Sequence, residues 1–148
     1  MSVAERRATV VWEGDLMAGR GSLQPASGAF SSLPVSFNER LESGSSATSP
    51  EELIASAHAA CYAMSLSNTL AANGSQPQRL EVTAAVELSR TPDGLSIRSS
   101  HLDVKAAVPR LDGDTLQELA TKAEQRCPVS NALRGNLDIE VNAQLLPS

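Results

Sequence analysis

Aromatic residues are nearly missing from this chain: Trp12, Phe30, Phe37 and Tyr62 are the four among 148 residues. A surface that stacks the bases of single-stranded nucleic acid is therefore not expected. Positive charge is not concentrated either. Twelve Lys and Arg face seventeen Asp and Glu for a net charge of −5, and no basic run suits nucleic acid or anionic lipid. Cysteine and histidine occur twice each, too few for a disulfide framework. No apolar stretch near the first residue has the pattern of a secretory signal. The expectation is a soluble, cytoplasmic chain whose thiols serve redox chemistry, a metal or plain packing. No repeat of fixed period appears, and the length predicts one domain, residues 1–148, with a real core.

One further absence organises the rest. Residues 53–72 contain no Asp, Glu, Lys or Arg and are rich in alanine. Ser49 suits an N-cap, Pro50 the first helical position, and Ser49 with Glu52 spells a capping box. Asn73-Gly74 supplies the left-handed stop, with Pro77 just beyond. The helix so framed is roughly 34 Å long and lacks a charged face, so it is expected to be buried on most sides. Its length would also span a bilayer, but Ser56, His58, Ser65, Ser67, Asn68 and Thr69 interrupt it and no basic flank orients it. No membrane span is expected. The helix carries His58 and Cys61.

The flanking segments read as strands. Residues 8–12 are β-rich and end in the turn Glu13-Gly14-Asp15, and residues 16–23 are placed as the returning strand. Residues 33–37 form a short strand that Pro34 pushes to an edge, and residues 42–47 are a polar connector. After the long helix, Leu80, Val82, Ala84, Val86 and Leu88 alternate with Glu81, Thr83, Ala85 and Glu87. Thr91-Pro92-Asp93-Gly94 turns the chain back into a hairpin. Along the next strand the apolar parity changes between Ile97 and Leu102, so a bulge is expected near Ser99-Ser100-His101. Asp112 or Asp114 caps a helix to about Gln125, with Leu116, Leu119, Ala120 and Ala123 inside. Cys127-Pro128 starts another, and Leu137, Ile139 and Val141 mark a closing strand. Hairpins rather than repeated strand–helix crossovers predict an α+β fold with antiparallel sheets.

Five motifs in this order resemble the OsmC/Ohr hydroperoxide-reductase family over nearly the whole chain. They are Trp12-Glu13-Gly14-Asp15; Phe37-Asn38-Glu39-Arg40; Ser49-Pro50-Glu51-Glu52-Leu53-Ile54; Ala57-His58-Ala59-Ala60-Cys61-Tyr62-Ala63-Met64-Ser65-Leu66; and Cys127-Pro128-Val129-Ser130. The wording is closest to the OsmC branch. The resemblance implies an intertwined homodimer built around the long helix, with a site at each end of its interface. It implies a thiol peroxidase acting on organic hydroperoxides and, less well, on hydrogen peroxide. By motif, Cys61 would attack, Cys127 would resolve, and Arg40 and Glu51 would complete the site. No metal or organic cofactor is implied. The reductant would be an external dithiol, with a lipoylated protein favoured over thioredoxin.

Physical chemistry meets that implication in part. Only the thiolate attacks peroxide oxygen, and burial raises a thiol's pKa. A cation is required, and residues 53–72 have none. Arg40 offers a fixed fork that can stabilise the thiolate, polarise the peroxide and bind a carboxylate. Glu51 is the carboxylate of choice, because Glu52 belongs to the capping box. Ten residues separate Glu51 from Cys61, about 15 Å along a straight helix. Two copies across a two-fold axis would let Glu51 of one reach the Cys61 region of the other. Cys127, at a helix start, gains acidity from free N–H groups and the dipole.

His58 lies three residues before Cys61 and so shares its helical face. A Cys–His nucleophile pair or a metal would suit that spacing, but a buried histidine bonded to backbone or water is preferred. His101 lies in a strand with no obvious partner. Arg20, between Gly19 and Gly21, resembles the position of the functional arginine in the Ohr branch, so the choice between Arg40 and Arg20 stays open with Arg40 ahead. Leu53, Ile54, Met64 and Phe37 would suit an alkyl chain, and core packing accounts for them equally. Two rivals remain: a Cys–His thiol hydrolase or acyl transferase, and a non-enzymatic redox sensor or ligand-binding dimer.

Overall fold

A computed structural model describes residues 1–147, and the chain divides at Pro50 into two compact units. In the first, β1 (Ala8–Glu13), β2 (Arg20–Pro25) and β3 (Leu33–Val35) form an antiparallel sheet in that order. β2 begins at Arg20 rather than Leu16. Residues 15–18 are spent in a turn, where Asp15 accepts from Ala18 N (2.7 Å) and Gly19 N (2.9 Å). Trp12, Gly21 and Val35 make one row across the sheet. A Cβ on Gly21 would lie 2.7 Å from Val35 and 2.9 Å from the Trp12 ring, so only glycine fits. β3 is an edge strand, the place Pro34 permits.

The expected strand through Phe37 is corrected. α1 (Phe37–Leu41) starts there because Ser36 Oγ accepts from Glu39 N at 3.3 Å and donates to the Glu39 carboxylate at 3.0 Å. The Ser36-Phe37-Asn38-Glu39 spelling was the available signal. Arg40 falls in its last turn.

The second unit contains α2 (Pro50–Ala72, whose first residue closes the first unit), β4 (Arg79–Thr91), β5 (Gly94–Ala107), α3 (Gly113–Arg126), α4 (Pro128–Leu133) and β6 (Asp138–Leu145). Gly74, at φ +78°, ends α2, with Ser75 N reaching Leu70 O (2.9 Å) and Gly74 N reaching Ala71 O (2.9 Å). β4 and β5 pair as the expected hairpin. The register shifts between Glu87 and Leu88, leaving Arg98 as the extra residue and re-aligning Leu102, Val104 and Ala106 to the core. The bulge lies one residue before the stretch expected to hold it.

One strand pair departs from the antiparallel expectation. β6 runs parallel to β5, since the chain passes through α3 and α4 before returning to the central strand. That register sets Glu140 opposite His101, and their side chains meet at 3.2 Å, so the histidine does have a partner.

Asp112 caps α3, its carboxylate accepting from Thr115 N at 2.8 Å; those bonds hold its pKa below the ordinary value. Leu116, Leu119, Ala120 and Ala123 are buried as their spacing predicts. They pack with Tyr62, Leu66 and Leu70 of α2 and with Leu102, Val104 and Ala106 of β5. α2 buries only a stripe in the single chain: Glu51, His58, Tyr62, Leu66, Thr69 and Leu70 are inside, whereas Met64 is 72% exposed. Burial on most sides is thus not achieved by one chain. No helix among the described residues is long and apolar enough to cross a membrane.

Candidate active site

Cys61 and Cys127 come together inside the second unit. Cys61 lies midway along α2 and is half-buried, Cys127 is fully buried, and both are free thiols. Cys127 is at once the C-cap of α3 and the N-cap of α4, with Pro128 at the first position of α4. Its sulfur accepts the Ser130 N–H at 3.5 Å. Cys61 and Val129, two residues beyond Cys127, both pack against the core cluster that holds Cys127.

These contacts decide the acidity of Cys61. Burial pushes its pKa up most, the Val129 N–H pulls it down, and the hydrogen bond and charge of Cys127 push it up again. The net direction is upward. Left to this unit, Cys61 is held as a thiol.

His58 is the buried core histidine that was preferred over a ligand or base. It is fully enclosed, and its partners are two serine hydroxyls rather than backbone or water: Ser100 Oγ at Nδ1 and Ser130 Oγ at Nε2, each 2.7 Å away. Burial lowers its pKa, against the attraction of the Glu124 carboxylate. With both ring nitrogens occupied by serines, the imidazole is not arranged as the base of a Cys–His pair. No group of three or more His, Cys, Asp and Glu among the described residues could hold a metal.

Buried Glu124 and exposed Arg134 form an ion pair that sequence reasoning missed. Glu124 is on the inner side of α3, and Arg134 Nη2 lies 2.8 Å from its Oε1. Arg134, the C-cap of α4, also reaches Glu124 O (3.4 Å) and Asn131 Oδ1 (3.1 Å). No local pattern signals this contact, because the residues lie ten apart on different helices.

The other predicted site residues are found at element ends. Glu51 is in the first turn of α2 and buried. Arg40 lines an apolar cup of about 140 Å³ in the first unit together with Trp12, Leu16, Val35, Phe37 and Pro50. Arg20 pairs with Glu13 in the β1–β2 register, one residue out of step with the Trp12–Gly21–Val35 row. It therefore points to the opposite face of the sheet from that row. Of the four side chains suited to an alkyl chain, Phe37 lines this cup and Leu53, Ile54 and Met64 do not.

Residues 43–142 match the family model described as OsmC-like protein. Over 129 residues the chain is 39% identical to a peroxiredoxin OsmC of Escherichia coli, covering 87% of this chain and 90% of that one. It is 35% identical over 97 residues to an organic hydroperoxide resistance protein of Xanthomonas axonopodis pv. citri, covering 65% of this chain and 66% of that one. The fold matches the crystal structure of an organic hydroperoxide resistance protein OsmC from Legionella pneumophila, with a TM-score of 0.79, 24% identity and coverage of 97% and 99%. The five motifs, the paired thiols and these likenesses lead to one conclusion: the chain belongs to the OsmC-like protein family.

Proposed function

We propose that the protein is a two-cysteine peroxidase that reduces organic hydroperoxides to alcohols, and hydrogen peroxide less efficiently. The observation that carries this reading is the packing of Cys61 against the core cluster that holds Cys127, close enough for the second thiol to bear on the acidity of the first. The names of its relatives, peroxiredoxin and organic hydroperoxide resistance protein, support a peroxide-related redox role.

In this reading the Cys61 thiolate attacks one peroxide oxygen. The O–O bond breaks, the departing alkoxide takes a proton and leaves as an alcohol, and Cys61 becomes a sulfenic acid. Cys127 then attacks that sulfur, an S–S bond forms, and the hydroxyl leaves with a proton as water. An external dithiol, such as a lipoylated protein, returns the pair to thiols. Arg40 supplies the positive charge that the attacking sulfur needs, and Glu51 orients the guanidinium. The whole chain works as a single functional domain in an intertwined cytoplasmic homodimer. The open, uncharged face of α2 and the exposure of Val10, Val11 and Trp12 on β1 support that assembly.

Single-turnover oxidation tests the reading. Cumene hydroperoxide is expected to consume both thiols of a chain per peroxide, faster than hydrogen peroxide does, and Cys61→Ser to abolish the reaction. Cys127→Ser is expected to keep the first turnover, lose later ones and accumulate Cys61 sulfinic acid, visible by mass spectrometry. A Cys61→Ser protein that still consumes cumene hydroperoxide at the original rate overturns it.

A further inference from the structure

Three buried side chains with no part in the peroxide chemistry form a chain of hydrogen bonds that ends at the residue bonded to the Cys127 sulfur. Ser100 lies on β5, the central strand of its sheet, and is paired there with Val86 and Ile139. Its hydroxyl meets His58 Nδ1 at 2.7 Å, and His58 Nε2 meets the Ser130 hydroxyl at 2.7 Å. All three residues are fully buried. Ser130 is also the residue whose backbone N–H touches the Cys127 sulfur. One serine is thus held by the imidazole through its hydroxyl and holds the sulfur through its amide.

We propose that His58 is a positioning residue for the Cys61–Cys127 pair: bridging Ser100 and Ser130, it fixes the start of α4 and so keeps the Cys127 sulfur against Cys61. His58 and Cys61 lie on one face of α2, a turn apart, so the anchor and the sulfur it serves share one rigid element. α4 has only six residues and cannot hold itself in place. Its far end is tied by Arg134 to Glu124, and its near end by His58. A neutral ring suits both serines, donating from one nitrogen and accepting at the other. The inference rests on reading the two cysteines as a reactive pair, and its test uses no peroxide.

The amide of Gln reaches about as far as Nε2 and keeps a bond to Ser130, whereas that of Asn stops near Nδ1 and keeps only the Ser100 side. The reduced protein is equilibrated with oxidised dithiothreitol. Two electrons and two protons pass from the protein thiols to the cyclic disulfide, giving the Cys61–Cys127 disulfide and reduced dithiothreitol. Ser130→Ala and His58→Asn are expected to lower the equilibrium constant for forming that disulfide, read from its yield, roughly tenfold, the scale of one lost buried hydrogen bond. His58→Gln and Ser130→Thr, which keep the bond, are expected to restore most of it. Equal losses in His58→Gln and His58→Asn would mean that the ring only fills space and would overturn the proposal. So would a Ser130→Ala protein with unchanged yield. Failure of the peroxidase reading shows elsewhere, as a Cys61 in the unmodified protein that ignores cumene hydroperoxide.

Discussion

Burial and the thiol of Cys127 both hold Cys61 protonated, and the Val129 N–H works against them without reversing the direction. A fast peroxide step therefore needs positive charge brought to the sulfur, and Arg40 is the side chain proposed to bring it. Arg40→Ala is expected to slow sulfenic-acid formation by about 10²–10³, the usual scale for losing one electrostatic stabiliser. Arg20→Ala is expected to leave it within a few-fold, because Arg20 points away from the sheet face that bears Trp12, Gly21 and Val35. Stopped-flow oxidation of the two variants distinguishes the arginines. His58 makes a separate prediction. Its folded-state pKa is lowered by burial, so below about pH 6.5 the unfolded chain binds a proton that the folded chain refuses. Stability is then present above that pH and lost on acidification. Denaturant midpoints measured between about pH 7 and pH 5 should fall more steeply for the unmodified protein than for His58→Gln.

Among the elements, α2 and α3 were the most legible from sequence. Pro50 and Asn73-Gly74 framed one, and Asp112 with the Leu116, Leu119, Ala120, Ala123 stripe framed the other. Both signals are local, so a single chain of letters carries them. α1 was missed because five residues show no period, although Ser36 and Glu39 spelled its cap. The parallel pairing of β6 and the serine partners of His58 were out of reach for a different reason. Contacts across 42 and 72 residues depend on how α3 and α4 lead the chain back to β5, and no local pattern encodes that. The α2 stripe also carries stability. Leu66 is fully buried against that core, so Leu66→Ala is expected to cost about 2–5 kcal/mol in chemical denaturation. Exposed Met64→Ala should cost less than about 0.5 kcal/mol in the dissociated chain.

For the whole molecule, the motifs announced the family, but an isolated chain leaves its long helix half uncovered. Glu51 and Cys61 are ten residues apart on one helix, about 15 Å along its axis. A site that uses both is most simply built from two copies. Mixing inactive Cys61→Ala with inactive Glu51→Ala, after demonstrated subunit exchange, is expected to restore up to about a quarter of the activity through mixed dimers. Exchange without any recovery would put both residues of each site in one chain.

Titration of the Cys61 sulfur in the assembled protein tests the central claim most directly, with Cys127→Ser isolating the signal. Thiolate absorbance should rise at a pH below the ordinary cysteine value of about 8.5, and Arg40→Ala should move that rise upward. A sulfur that stays protonated well above neutrality in the intact assembly, with or without Arg40, would contradict the account.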